Sequence, residues 1–479
     1  MSESGSTSSA ILAPLDTANL QAQGLLLVGS AAGSRRIHKR RLNRSSDEEH
    51  RDIPLVTPPE SSAAFVTIPD VLISRETLMH VGLSAENAGE LWQKWTNWPQ
   101  FGPRREVDPD DGGLQVTFID FIVGHMENKD DAADESDAQW RACMDACGLS
   151  VDTQDAIMDP HFTYLRLSSS CLSWVRDTIE MRYAGLQDIQ RTSRVREMEL
   201  RRMASRPGAH QGEQRGGSQG GYTLDSASLP AATGQEKRRS ISGQQQQGTP
   251  GVALDVWSSA RAIASRNAPG YTVLYKGMDQ ARTNGLFDEA GALSNLSTLL
   301  SSAPSDFSST RALFYFTPDV KVAEYYASYA KRRTECESVV ILCLCIPNAA
   351  IEALSEPDIR RLSWPSNDWK ELVWRCRTRQ ALPTRLRSYR NALLTIGTTP
   401  RRPDSEYHAL GSWEDVTERF LLKVGANGGG DIATQYVVTG EDEGREWLKD
   451  NGARNIKVFP YTRVELDSWL AGNPPVGTA

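Results

Sequence analysis

RALFYFTPDVKVAEYYASYAKRR, residues 311–333, changes its hydrophobic period halfway along. Leu313-Phe314-Tyr315-Phe316 is a short apolar, aromatic run of the kind that forms a buried strand. Thr317-Pro318-Asp319 follows, in which Thr or Asp suits a helix cap and Pro suits a first turn. From Val320 the pattern is helical, with Val322, Ala323, Tyr326 and Ala330 on one face and Lys321, Glu324, Ser328 and Lys331 opposite. The stretch therefore predicts strand, tight turn, amphipathic helix, with aromatic rings on both sides of the turn. Tyr315 from the strand and Tyr325 from the helix are placed to sandwich a flat heterocycle. The plainer alternative is that both rings are packing.

Outward from this unit, residues 252–470 read as globular. Tyr271–Tyr275, ending at Lys276-Gly277, reads as a strand, and so do Ser338–Ile346, stopped by Pro347, Phe420–Val424 and Asp431–Val438. Trp369–Trp374 reads as a short strand or helix, and Glu441–Asp450 as a helix leading into Ile456–Phe459. Strands and short helices alternate irregularly, which predicts an α+β domain with an antiparallel or mixed sheet and excludes a Rossmann sheet.

Upstream, residues 206–251 are rich in Gly and Gln, cannot bury a core, and predict a low-complexity linker. Residues 63–205 predict a mostly helical domain. In it Trp92, Trp95 and Trp98 form an apolar stripe read as core, and 174–205 forms one long helix whose Arg-rich far half projects into solvent or holds a partner. Cys143 and Cys147, one turn apart, lack further ligands for zinc and are read as packing. Asp108–Gly113 lacks the closing glutamate of a calcium loop and is read as an acidic turn. No metal is expected. Residues 1–62, rich in Ser, Gly and charge, predict a disordered tail carrying the basic cluster Arg35–Arg41 with Arg44 just beyond. That cluster suits a nuclear-import signal, a polyanion contact or a solvated charge run. Residues 471–479 are read as a tail.

Composition bounds the rest. At 479 residues the chain predicts about two or three domains. A net charge of −8 excludes a chain-wide nucleic-acid footprint. Seven scattered cysteines, without framework spacing, predict reduced thiols. With no secretory signal and no long apolar run, a soluble cytoplasmic or nuclear protein is expected, with no membrane partner.

Three segments carry the functional expectation: Leu274-Tyr275-Lys276-Gly277-Met278; Phe314-Tyr315-Phe316-Thr317 followed by Val322-Ala323-Glu324-Tyr325; and Thr434-Gln435-Tyr436-Val437-Val438. In this order they resemble the ADP-ribosyltransferase superfamily, in the branch that includes the poly(ADP-ribose) polymerases. The first resembles that family's strand of tyrosine or leucine, histidine, glycine and a small or polar residue. The second resembles its "(I/F)-Y-F-A, then S-A-x-Y" segment, and the third its "N-E-Y-(I/V)-V" strand. The likeness covers about the last two hundred residues.

The resemblance implies a split pair of sheets with NAD as co-substrate in the cleft. It implies Tyr275, Gly277, Tyr315 and Tyr325 as NAD-binding residues, and Lys276, Tyr315 and Gln435 at catalytic positions. The chemistry asks for such residues. Nicotinamide leaves through an oxocarbenium-like centre, so the site must stack the ring, pair with its amide and stabilise developing positive charge. Glycine at 277 permits close backbone approach to the carboxamide.

Two positions depart from the family. Lys276 replaces the histidine and adds a cation. Gln435 replaces the catalytic glutamate, which by analogy costs roughly 10²–10³ in rate. Glu371, in WKELVW, is a candidate substitute carboxylate, with pairing to Arg375 as the alternative. Two functions follow as expectations. One is mono-ADP-ribosyl transfer from NAD to an unidentified acceptor, or NAD hydrolysis. The other is a catalytically inactive module that binds NAD, ADP-ribose or a protein.

Overall fold

The computed structural model describes residues 9–475 apart from 44, 59–60, 100, 107–114, 206–267, 289–291, 335, 337, 425–429 and 453–455. The expected linker at 206–251, the acidic turn at Asp108–Gly113 and Arg44 therefore lie outside the described residues. The architecture mixes helices and strands.

The expected tail is folded over most of its described length. Pro14–Ala22 is helix α1, and strands β1 (Leu26–Val28), β2 (Ser34–His38) and β3 (Phe65–Pro69) form an antiparallel sheet in that order. The low mean hydropathy hides a few widely spaced apolar residues. Ile11, Leu20, Leu25, Leu26, Ile37 and Leu42 are all buried. The basic cluster is not a solvated run either. It forms the central strand and the turn after it, with Arg35 bridged to Asp70 and Arg40 to Asp47, both at 2.7 Å.

Helices α2 (Arg75–His80), α3 (Ala85–Thr96), α4 (Phe118–Gly124), α5 (Asp137–Ala146), α6 (Val151–Ile157) and α7 (Cys171–Ala204) follow. Each is preceded by a Ser or Thr whose hydroxyl accepts an amide of the first turn, each cap being worth about 1 kcal/mol. Of the tryptophan stripe, Trp95 is core as expected, packing edge-on against Trp98 and Phe118, while Trp92 and Trp98 are partly buried against the core. The far half of α7 holds a partner, and that partner is the N-terminal segment. Asp16, fully buried in α1, takes two hydrogen bonds from Arg196 and one from Ser193.

The C-terminal half supplies two sheets. One has the order β11–β7–β4, from Ile456–Tyr461, Val339–Pro347 and Tyr271–Asp279, all antiparallel. The other has the order β8–β9–β10–β6–β5, from Ile359–Leu362, Leu394–Thr398, Thr434–Thr439, Leu313–Phe316 and Leu300–Ser301. Only β8 and β9 are parallel within it. Phe420–Val424 makes isolated bridges rather than the expected strand. Trp369–Trp374 lies within helix α9 (Asn367–Arg377). Helix α8 (Val320–Arg333) follows β6, α10 (Asp442–Gly452) follows β10, and α11 (Arg463–Gly472) runs into the expected C-terminal tail.

Helix α8 is buried well beyond the single face its periodicity suggests. Ala323 and Ala327 pack on β4. Ser328, fully buried, bonds Tyr461, and Lys331 pairs with Glu49. One hydrophobic cluster runs from Trp140, Phe162 and Val175 of the helical half through Tyr325 and Tyr329 to Ile341 and Cys343 of the sheet. The two expected domains thus share a core. All seven cysteines are free and buried. Among the described residues no helix is long and apolar enough to cross a membrane, and no cluster suited to a metal ion is present.

Candidate functional site

The three segments singled out in the sequence become neighbouring strands. Tyr275 of β4 exchanges both backbone hydrogen bonds with Thr317, at 2.7 and 3.0 Å, and this bridge joins the two sheets. Tyr436 of β10 pairs with Phe316, so the same register carries Gln435 opposite Thr317. The Thr317 hydroxyl donates to the Thr434 carbonyl at 3.1 Å. Backbones of β4, β6 and β10 therefore meet at Thr317.

The side chains do not converge with them, because neighbouring residues of a strand face opposite ways. Leu274 and Met278 pack between the sheets with Phe314, Phe316 and Val438, and Lys276 shares their face. Its ammonium donates to the Leu299 carbonyl at 2.9 Å and to the Ser301 hydroxyl at 3.2 Å. Burial, and then the charge of Arg282, lowers its pKa to about 8. Lys276 is a structural cation tying β4 to β5.

Tyr315 and Gln435 lie on the other face of their sheet, towards α9. Tyr315 donates to the Ser305 hydroxyl at 2.9 Å and accepts from the Phe307 amide at 3.2 Å. Burial and nearby Asp306 push its phenol well above the usual range. Gln435 is 4% exposed, opposite Gly397, and its amide nitrogen has no partner among the described residues. The space in front of this face is filled by the protein. Phe307 stands so close to Gly397 that a Cβ there would meet its ring at 3.0 Å, and the Trp369 indole bonds the Thr398 carbonyl at 3.0 Å.

Tyr325 points elsewhere. Its ring stacks on Trp469 at 5.4 Å and faces Phe162 at 6.1 Å, and its hydroxyl accepts from the Leu165 amide at 3.1 Å. The sandwich expected from Tyr315 and Tyr325 is therefore not formed: one ring is set against Phe307, the other against the helical half. Tyr326, not singled out for the site, packs instead against Val322, Leu422 and Ala433. Its pKa is pushed up to about 12 by burial first and Asp306 second. A residue step of 100° on a helix separates the two tyrosines, and the apolar face read from the periodicity, which held Tyr326, did not show that Tyr325 is the one buried, at 2% exposed.

Glu371 is held by Arg375 at 2.7 Å and by Arg385, with both carboxylate oxygens engaged. The pairing with Arg375 weighed from the sequence is present, and the substitute-carboxylate role is not supported by this geometry. Asp306, whose charge helps raise the Tyr315 pKa, is held by Arg377. Gly277 packs its Cα beneath α8, where a Cβ would overlap the Ala323 carbonyl. The pleat turns its amide and carbonyl to the same edge that Tyr275 uses for Thr317.

A cleft of about 380 Å³ opens beside the start of α8, lined by Asp319, Lys321, Glu324, Tyr325, Asp431 and Trp469 among others. Of the expected site residues it includes Tyr325 alone. No protein-family model, curated protein or solved structure matches the chain.

Proposed function

We propose that the C-terminal half is an ADP-ribosyltransferase-like module that binds rather than turns over, the inactive one of the two functions expected from the sequence. One observation carries the reading. At the three positions where transfer chemistry would act, Lys276 is spent on Leu299 and Ser301, Gln435 is a buried amide, and Glu371 is neutralised by two arginines. Stabilising an oxocarbenium-like centre needs a carboxylate free to face it, and those near Tyr315 are already paired.

The strand meeting at Thr317 supports the likeness to the split sheets of that superfamily. The edge-facing peptide of Gly277 supports a residual affinity for the carboxamide of NAD or for ADP-ribose. The test is incubation of the whole chain with NAD labelled on the adenylate, scoring nicotinamide release, label transfer and equilibrium binding. Binding without release is the expected result. Release that falls in Gln435→Ala would overturn the reading in favour of the transferase or hydrolase.

A further inference from the structure

A second cavity, of about 260 Å³, is lined by Tyr164, Arg401, Glu418, Arg419 and Lys423. Its chemistry is unlike the rest of a chain with net charge −8, for three cations face one carboxylate. Arg401 is the residue that demands an explanation. It is 6% exposed, its guanidinium lies 3.6 Å from the Tyr164 ring centre, and its Nε donates to the Tyr164 carbonyl at 2.8 Å.

Its neighbours are already matched. Arg402 is bridged to Glu135 at 2.8 Å, Lys423 to Glu418 at 2.8 Å, and Arg419 reaches Glu406 at 3.7 Å. Among the described residues no carboxylate bridges Arg401. A buried charge is normally paired. Burial lowers the Arg401 pKa to about 10, and Arg402 pushes the same way. Arg402 itself has φ 93, a left-handed conformation that side chains other than glycine rarely adopt.

We propose that this cavity is a phosphate-binding site in which the two Nη groups of Arg401 grip the anion, while the rim cations Arg419 and Lys423 exchange their contacts with Glu406 and Glu418 for it. The guanidinium fork matches two oxygens of a phosphate and is weakly hydrated enough to be buried. Tyr164 stacks on the fork and fixes its plane. The cavity is smaller than the ~300–1,000 Å³ of sites that enclose drug-sized ligands, so it takes a phosphate or diphosphate group, not a whole dinucleotide. The ligand is either a free inorganic anion or the diphosphate of a nucleotide sugar whose remainder lies outside. The inference does not depend on the NAD reading, since none of these residues belongs to the three strand segments.

The test is calorimetric titration of the whole chain with inorganic pyrophosphate, orthophosphate and ADP-ribose, at two salt concentrations. Saturable, salt-sensitive pyrophosphate binding is expected, weakened at least tenfold in Arg401→Gln. Because Arg401 also packs on Tyr164, the rim variant Arg419→Gln/Lys423→Gln is measured beside it and is expected to weaken binding at least fivefold with an unchanged melting temperature. ADP-ribose binding that is tighter than pyrophosphate and is weakened by Arg401→Gln identifies the nucleotide source, and pyrophosphate binding at least as tight as ADP-ribose at the Arg401-dependent site identifies the free anion. Absence of saturable binding by all three probes, or binding indifferent to both variants, overturns the proposal.

Discussion

Gly277 of β4 lies directly beneath the carbonyl of Ala323 in α8, with the Ala327 amide also within 3.0 Å of where a Cβ would stand. The glycine lets a helix backbone ride on a strand, and this contact sets the position of Tyr325 and Tyr326 relative to the sheets.

Gly277→Ala is expected to destabilise the fold by about 3 kcal/mol, at the upper end of ordinary overpacking, because the obstacle is backbone and cannot rotate away. Urea unfolding measures it. A loss below about 0.5 kcal/mol would mean that α8 slides freely on β4 and that the contact is not a constraint.

The second expectation concerns the N-terminal segment. Asp16 has no exposed surface and binds Arg196 through both carboxylate oxygens, with Ser193 as a third donor. Removing one partner of such a pair leaves the other uncompensated. Asp16→Ala is therefore expected to cost about 3 kcal/mol, as breaking buried pairs does. A residue in a disordered tail would change stability by less than about 0.5 kcal/mol. Thermal unfolding of Asp16→Ala beside Asp16→Asn separates the cases, the amide keeping part of the hydrogen bonding.

These two sites mark how far the sequence could be read. The strand, turn and helix of residues 311–333 were legible because a continuous apolar run gives way to a 3.6-residue period within a few residues. The three strands that meet at Thr317 were legible as short patterns. What a pattern does not carry is which side of a strand is covered and by what. Tyr315 and Gln435 face α9, and that face is closed by Phe307, from the loop before β6, and by Trp369, which is distant in sequence from both. The fold of residues 9–58 was hidden for another reason. Its apolar residues are too few to show a sustained period, and their burial comes from tertiary contacts, α1 packing on α7 and the strands β1–β3 on one another. The strand Leu394–Thr398 escaped notice because Thr and Gly make up most of it, although it sits between β8 and β10.

The last expectation is a pH profile centred on Lys276. Its ammonium is held between the sheets with Leu299 and Ser301 as acceptors, and its pKa falls from 10.5 to about 8, chiefly through burial. Below pH 8 both folded and unfolded chains carry the proton, so the cost of the buried charge is constant and fully present. Between about 8 and 10.5 the folded chain has released the proton while the unfolded chain still binds it. Stability from this group must then rise with pH. Tyrosines and thiols titrate nearby, so the informative quantity is the difference between the native chain and Lys276→Met, in which those groups are common to both. The native chain should gain on the variant by on the order of 1 kcal/mol between pH 7.5 and 9.5, once solvent screening at this partly buried site is allowed for. Denaturant melts at half-unit intervals supply the comparison. A difference that stays level across that range would show that the ammonium is hydrated in the folded chain, leaving it available to a ligand in the split between the sheets instead of being spent on β5.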